Sequence, residues 1–520
     1  MIPDNFNQVI ANLKKSNTSV DFLEASKVIS LDYTQLRNLI IGNAEHFRSI
    51  GISRGTRVVI SLKTDVEHIV SFLAFIAIGA TPISIKPAKT TTPNHIYVQD
   101  LAKLCSKFDI QYGYHTLPLP SALVSVVWHS KASSVNLAAI AEVEPDDLAF
   151  VQFSSGSTSI PKAIPISHQN LMANLSVILA VDEREPGSKG FNFLPLSHDM
   201  GLVGGLLSNF IYQNSLLLTN PANFLRHPVD SLVIANEQSV NVMAMPDFAL
   251  SYVSKYLSIS RNERLHKNIL SNFKTIYCGA EPIRFHSIKS FLKIASFFGL
   301  DSSALFFCYG LAEGTLLITG TRFNTLQDSF DMSLPNRITA RLGPPLGRAE
   351  VRICNNDVDD KENIVDERQV GSVQIRGPSV FNGYWEDISI SRSKSDWFST
   401  GDIGFIRDGN LYICGRDKDM IIINGENIFA VDIENFLAEL PELRETLVLI
   451  DEEHFYVLAV TSSKTNLNIQ KISSLISQNF GVAPKQVIPG LPGHILRTTS
   501  GKPMRRETLR SLKESGLLAI

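Results

Sequence analysis

Short apolar, β-branched runs alternate along the first two thirds of the chain with longer segments whose apolar residues recur every three or four positions. Val58 to Leu62, Pro82 to Ile85, Leu148 to Phe153 and Thr275 to Cys278 have strand length and little polar interruption, the pattern of strands buried on both faces. Between them, Glu67 to Ile78 and Phe248 to Leu257 carry the helical period. Strands separated by helices predict parallel sheets with crossover connections and helices packed on the sheet faces. The most apolar run, Ile69 to Ala80, is interrupted by Ser71 and falls short of the roughly 20 residues that cross a bilayer. It reads as a core helix, and no transmembrane segment is expected.

The pattern changes near Gly371. Val373 to Arg376, Leu411 to Cys414 and Met420 to Ile423 follow one another with turn residues between them, which predicts meandering β structure. Beyond Met420 come a helix around Val431 to Leu440, strands Thr446 to Ile450 and Tyr456 to Val460, a helix near Ile472 to Phe480 and a polar tail. The expected fold class is α/β. A large N-terminal domain over 1–416 has parallel sheets flanked by helices plus a β-meander subdomain, and a smaller, mobile α+β C-terminal domain covers 417–520. The break falls in the charged turn Arg416 to Asp419.

Composition narrows the function. Lys and Arg number 48 against 51 Asp and Glu, a net charge of −3, so the basic balance that phosphate-backbone binding requires is missing and nucleic acid is not an expected partner. The five cysteines, Cys105, Cys278, Cys308, Cys354 and Cys414, are scattered and never spaced CxxC, which argues against a disulfide framework or a zinc site. They are expected to be buried and reduced. The first ten residues lack a basic stretch followed by an apolar one, so a cytoplasmic location is expected.

One segment stands out chemically: Phe153-Ser-Ser-Gly-Ser-Thr-Ser-Ile-Pro-Lys162 follows a predicted strand with hydroxyls, one glycine and a lysine. In such a loop the backbone N–H groups and side chains of Ser154, Ser155, Gly156, Ser157 and Thr158, with Lys162, make a concavity suited to polyphosphate. It is not a Walker A sequence, since no Gly-Lys-Ser/Thr closes it. Taken alone, a solvated Ser/Thr loop between elements satisfies the same string.

The segment resembles the phosphate loop of the adenylate-forming superfamily, which includes acyl-CoA synthetases, peptide-synthetase adenylation domains and luciferases. Further motifs of that superfamily follow in order: Tyr309-Gly-Leu-Ala-Glu313, Ser399-Thr-Gly-Asp402, Gly415-Arg-Asp-Lys-Asp419, Asn424-Gly-Glu-Asn427 and Thr499-Ser-Gly-Lys502. Leu194-Pro-Leu-Ser-His-Asp-Met-Gly201, Gly279-Ala-Glu-Pro282 with Arg284, and Ala312 are similar to the fatty acyl-AMP ligases. The resemblance implies ATP-dependent activation of a carboxylic acid, a fatty acid, to an acyl-adenylate, with transfer to the phosphopantetheine thiol of an acyl carrier protein.

It also implies roles for individual residues. A carboxylate and ATP repel each other, so the site must supply cations and fixed dipoles where charge develops. Lys502 would bridge the substrate carboxylate and the α-phosphate. Glu313 would hold Mg²⁺, Asp402 and Arg416 the ribose, Tyr309 with Gly310 one face of the adenine, and Gly279, Ala280 and Glu281 the opposite wall. His198, counted with Lys502 and Glu313 as catalytic, would stand near the acyl entrance, and an apolar acyl tunnel would end near Met243 to Phe248 and His198. Lys418 matches the hinge about which the small domain turns.

Three readings stay open. Ser159 and Ala163 stand where the family has glycine, which relieves positive-φ strain and lets phosphate approach the backbone; a non-catalytic nucleotide-binding relative is therefore one alternative. The stretch from Glu313 to Gly343 is modest for the extra segment by which acyl-AMP ligases exclude coenzyme A, so an acyl- or aryl-CoA synthetase is another. A third, an amino-acid adenylation domain, would need an aspartate poised for the α-amino group, and Asp247 is the candidate.

Overall fold

The computed structural model describes residues 2–24, 27–85, 94–129, 137–153, 162–181, 187–260, 266–333, 336–355, 364–385, 396–423, 426–451, 454–461, 467–497 and 503–518. Two large sheets dominate. One has eight strands in the order Leu317–Arg322, Leu305–Gly310, Thr275–Cys278, Val242–Ala244, Lys189–Asn192, Ser215–Thr219, Ser19–Glu24 and Lys27–Asp32. The other has six, in the order Val124–Val126, Tyr112–Tyr114, Arg57–Ile60, Thr81–Ser84, Leu148–Phe153 and Ala163–Ser167. Their interiors are parallel, as the alternation of strands and helices predicts, but the first sheet ends in antiparallel strands on both sides and the second on one. Those edges come from short hairpin-like returns that periodicity does not mark.

Between the sheets lies a layer of helices, chiefly Tyr33–Ser49, Val66–Ala77 and His168–Val181, sharing one apolar core with both sheets. Local chemistry sets their starts. Asp32 and Gln35 form a reciprocal capping box at 2.8 and 2.9 Å, and the Asp65 carboxylate accepts the His68 N–H at 2.8 Å. Val66–Ala77 is the expected core helix, buried at every position from His68 onward. Among the described residues, no helix is long and apolar enough to cross a membrane.

Past this body, Glu350–Cys354, Gly371–Arg376, Phe398–Arg407 and Asn410–Arg416 form a four-stranded antiparallel meander. The charged turn Asp417–Asp419 leads to Met420–Ile423 and Glu426–Phe429, then to a sheet of Leu443–Asp451, His454–Thr461 and Gln486–Gly490. Helices Ala430–Leu437 and Ile469–Phe480 cover one face of that small sheet, through Val448, Val457 and Ala459. The tail helix Arg505–Glu514 covers the other, through Leu447, Leu449 and Leu458, as the alternation of side chains along a strand requires.

The cysteines depart in part from expectation. All five are free thiols, but Cys308 and Cys354 are half-buried, whereas Cys105, Cys278 and Cys414 are buried.

Candidate active site

Ligands of open α/β sheets bind beyond the carboxyl ends of the parallel strands. A cavity of about 680 Å³ opens there, between the eight-stranded sheet, the meander and the small C-terminal unit. Its walls bring together Lys162, His198, Ala280, Glu281, Tyr309, Gly310, Glu313, Asp402, Arg416 and Lys418, from segments far apart in sequence. Ser154, Ser155, Gly156, Ser157, Thr158 and Lys502 lie outside the described residues, as does Ser159. Pro503 to Glu507, immediately after Lys502, line the same cavity. Ala163 is buried at the start of a strand.

On one wall the Tyr309 hydroxyl donates to Asp402 Oδ2 at 2.7 Å, and Arg416 Nε lies 3.1 Å from Asp402 Oδ1. The Asp402 N–H donates to Thr400 Oγ1 at 3.1 Å, and the carboxylate is buried. Burial first, and then the adjacent Asp402 charge, hold the Tyr309 phenol well above its ordinary pKa. Tyr309 therefore stays a donor, anchored by its hydroxyl while its ring faces the cavity. Two glycines permit the close approaches here: a Cβ on Gly279 would sit 2.6 Å from the Cys308 carbonyl oxygen, and one on Gly310 would sit 1.6 Å from that of Leu316. Ala280 adopts φ +67°, a left-handed backbone that is uncommon outside glycine. Glu281 turns partly to structure, accepting the Phe248 N–H at 2.7 Å at the start of helix Asp247–Ile259.

Glu313 accepts from the Tyr384 hydroxyl at 2.8 Å, and Lys162 Nζ stands 4.2 Å above the Tyr384 ring. Burial raises the Glu313 carboxyl above its ordinary pKa, Tyr384 and Arg416 oppose that rise, and the nearby Asp199 charge adds to it. Tyr384 is a site residue that the sequence does not single out. It lies in Phe381-Asn-Gly-Tyr-Trp385, between two strands, and the only hint is a cluster of aromatics in a turn. The Phe381 N–H donates to the Glu313 carbonyl at 2.8 Å, which ties that turn to the motif it supports. Among the described residues, no group of three or more His, Cys, Asp or Glu is arranged to hold a metal ion.

His198 pairs through Nδ1 with Asp199, which also caps a π-helix, Met200–Leu207, by accepting the Met200 N–H at 2.7 Å. Short π-helical turns recur at functional sites. Asn192 braces this helix, donating to the Gly201 carbonyl at 3.0 Å and accepting the Leu194 N–H at 2.9 Å. The lining also includes Gly190, Val242, Met243 and Ala244 of adjacent strands, the apolar side chains of Ile178 and Leu316, and the amides of Asn192 and Asn209. Asp247 does not face a substrate: it is fully buried, accepting the Arg284 N–H at 3.0 Å and the Ser287 hydroxyl at 2.9 Å.

The small unit closes the cavity with charged pairs. Arg505 forms a forked pair with Glu434, donates to the Val448 carbonyl at 2.7 Å and lies 3.5 Å from Asp419 in the turn that carries Lys418. Across the gap, Arg337 of the large unit meets Asp432 at 2.9 Å and lies over the Phe429 ring at 4.7 Å. Burial pushes the Asp432 carboxyl up to about 6 despite the opposing Arg337 charge.

The chain is similar to known proteins over most of its length. The long-chain-fatty-acid–AMP ligase FadD28 of Mycobacterium tuberculosis is 25% identical, over 92% of this chain and 91% of that protein. The medium-chain-fatty-acid–[acyl-carrier-protein] ligase JamA of Moorena producens is 28% identical, over 70% and 67%. A solved structure from a study of fatty acyl-adenylate ligases of E. coli and L. pneumophila superimposes with a TM-score of 0.84 at 24% identity, over 99% of both chains. The McyG adenylation and carrier structure with phenylalanyl-adenylate gives 0.83 at 23%, over 99% of this chain and 96% of that one. These two structural likenesses concern the fold. The AMP-binding enzyme family model matches residues 11–385, and the chain belongs to that family of ATP-dependent, AMP-forming ligases.

Proposed function

We propose that the enzyme converts a fatty acid and ATP to acyl-adenylate and pyrophosphate, then passes the acyl group to the phosphopantetheine thiol of an acyl carrier protein. The observation that carries this reading is one cavity lined both by cations, Lys162 and Arg416, and by the apolar side chains of Ile178, Val242, Met243 and Leu316. Cationic and apolar walls in one cavity suit an acid with an apolar tail. JamA and FadD28, by their names, act on such acids, the former with a carrier protein.

In this mechanism the nucleophile is already an ionised carboxylate, so the first step needs charge neutralisation rather than a base. Asp402 and Arg416 hold the ribose, and Asp402 has lone pairs beyond those that Tyr309 and Arg416 engage. The Tyr309 ring and the Gly279 to Glu281 turn flank the adenine. Lys162 and the loop from Ser154 to Thr158 receive the phosphates. Lys502, next in sequence to Pro503 of the cavity wall, bridges carboxylate and α-phosphate. The chain divides at 416/417, with Lys418 in the hinge turn.

Glu313 fits a magnesium ligand. It is a hard oxygen donor whose ionised form burial disfavours, so a dication beside it would offset that cost. Mg²⁺ needs only one or two protein carboxylates and completes its shell with phosphate oxygens and water. When bound, it would neutralise phosphate charge.

An amino-acid substrate is disfavoured because Asp247 is already satisfied by Arg284 and Ser287. Coenzyme A as acceptor remains the second reading, favoured by the modest stretch between Glu313 and Gly343. The deciding experiment offers coenzyme A and holo carrier protein in parallel, with acids of graded chain length, and weighs the products by intact mass. An acyl-carrier adduct is expected. A product on coenzyme A alone overturns the carrier assignment, and no pyrophosphate exchange with any acid overturns the whole reading.

A further inference from the structure

The first half-reaction leaves the His198–Asp199 pair in the cavity without a task. The Asp199 carboxylate engages His198 Nδ1, and the same oxygen accepts the Met200 N–H at 2.7 Å. The histidine backbone is pinned on both sides: its N–H donates to the Pro195 carbonyl at 3.1 Å, and its carbonyl accepts the Leu202 N–H at 2.8 Å. With the Nδ1 proton held by a carboxylate, neutral imidazole is fixed in the tautomer whose Nε2 carries a lone pair.

The ring stands at a junction. A side cavity of about 20 Å³ adjoins the main one, and His198, Met200, Ala280 and Glu281 line both. Its remaining walls, Leu194, Pro195 and Pro246, are apolar. A slot of this size accommodates a sulfur atom but not a chain of waters to accept its proton. Of the two ionisable side chains lining it, Glu281 already accepts the Phe248 N–H. At an ordinary pKa near ~8.5 a thiol is only a few per cent ionised at neutral pH, so attack by sulfur gains from a positioned base.

We propose that His198, oriented by Asp199, is the general base for the acceptor thiol in the second half-reaction. This rests on the reading above that an acyl-adenylate meets a thiol in this cavity. His198 Nε2 takes the S–H proton as sulfur forms a bond to the acyl carbonyl carbon. The bond from that carbon to the phosphate oxygen then breaks, AMP leaves with the electron pair, and the imidazolium returns its proton to solvent. Asp199 is a positioning residue: it touches neither thiol nor adenylate, but sets the tautomer and stabilises the imidazolium.

The test supplies purified dodecanoyl-adenylate to the full-length enzyme and follows AMP release with two nucleophiles. Pantetheine needs a base, whereas para-nitrothiophenol is already ionised at neutral pH. His198→Gln is expected to slow the pantetheine reaction by about 10²- to 10⁴-fold and the nitrothiophenolate reaction by less than about tenfold. Asp199→Asn is expected to show the same selectivity. Equal slowing of both nucleophiles in His198→Gln would mean that the ring merely shapes the site, and an undiminished pantetheine rate would remove it from the step; either overturns the proposal. Hydroxylamine trapping of adenylate made from ATP tests the preceding reading separately, because supplied adenylate bypasses that step.

Discussion

The helix layer between the two large sheets and the seam where the small unit meets the cavity are both buried, but by opposite means. In the layer, helix Val66–Ala77 is enclosed from His68 to its end, and the Phe47 and Phe75 rings stack at 4.5 Å. The one histidine at the head of helix His168–Val181 is held uncharged there, its pKa driven down to about 4 by burial. At the seam Arg337 of the large unit meets Asp432, and just behind it, within the small unit, Arg505 meets Glu434; these carboxylates are 5% and 4% exposed. Burying apolar area stabilises roughly in proportion to that area. A buried ion pair recovers little beyond its desolvation cost, yet loses much when one partner goes. The layer is thus held by apolar area, and the seam by an ion pair of small net free energy.

The largest effects should separate these two kinds of burial. Phe72→Ala, at a fully buried position, is expected to cost about 3 to 5 kcal/mol and to lower the urea midpoint of the large unit. Arg505→Ala is expected to cost a similar ~3 to 5 kcal/mol, because Glu434 is left buried and unpaired, but locally. Amide exchange should quicken in Leu443–Asp451 and the tail helix while the helix layer keeps its protection. Faster exchange in Val66–Ala77 after Arg505→Ala would erase the distinction.

The same division explains what the sequence discloses. Val66–Ala77 and the strands around it are legible because each is an apolar run of helix or strand length, buried where the sequence is apolar. The cavity's main side chains are legible because each sits in a short contiguous motif: Tyr309 and Glu313 in one, Asp402 in another, Arg416 in a third. Contacts between distant segments carry no such mark. The bond from Tyr384 to Glu313, the Lys162 ammonium over the Tyr384 ring, and Arg337 against Asp432 depend on how sheets and units assemble. The π-helix at Met200–Leu207 is an apolar, glycine-containing run whose extra residue per turn leaves no periodic trace in eight positions. The antiparallel edges of both large sheets are missed for a similar reason, since strand direction is set by connection geometry.

Lys502→Ala is the next largest expectation. Removing a preorganised cation from a developing charge typically costs about 10² to 10³ in rate. Pyrophosphate exchange should fall by at least that factor with the urea midpoint unmoved. An undiminished exchange rate would separate the small unit from catalysis, since Arg505, three residues on, would then anchor a tail that takes no part in chemistry.

Acidity sharpens the comparison through opposite signs. His168 has a folded pKa near 4 against an ordinary 6.5, so its contribution is present above 6.5 and is lost as pH falls toward 4. Asp432 has a folded pKa near 6 against an ordinary 3.8, so its contribution is present below 3.8 and is lost as pH rises through 6. Each is worth up to about 3 kcal/mol. Between pH 4 and 7 the stability gap between wild type and Asp432→Asn should therefore shift against wild type as pH rises, and that for His168→Phe in its favour. Urea titrations across that range measure both, and parallel slopes would contradict the contrast.

The smallest expected effect isolates the ribose wall. Tyr309→Phe keeps the ring and removes the hydroxyl that donates to Asp402, leaving Arg416 as the carboxylate's side-chain partner. A hydrogen bond to a charged group is worth about 1.5 kcal/mol at the low end, roughly tenfold in binding. If the hydroxyl serves to hold Asp402 ready for ribose, KM for ATP should rise by about that factor while kcat moves less, because the interaction is the same in ground and transition states. A fall in kcat with KM unchanged would instead place Tyr309 among groups whose contact tightens only as the adenylate forms, which would make this wall part of the catalytic electrostatics rather than of nucleotide binding.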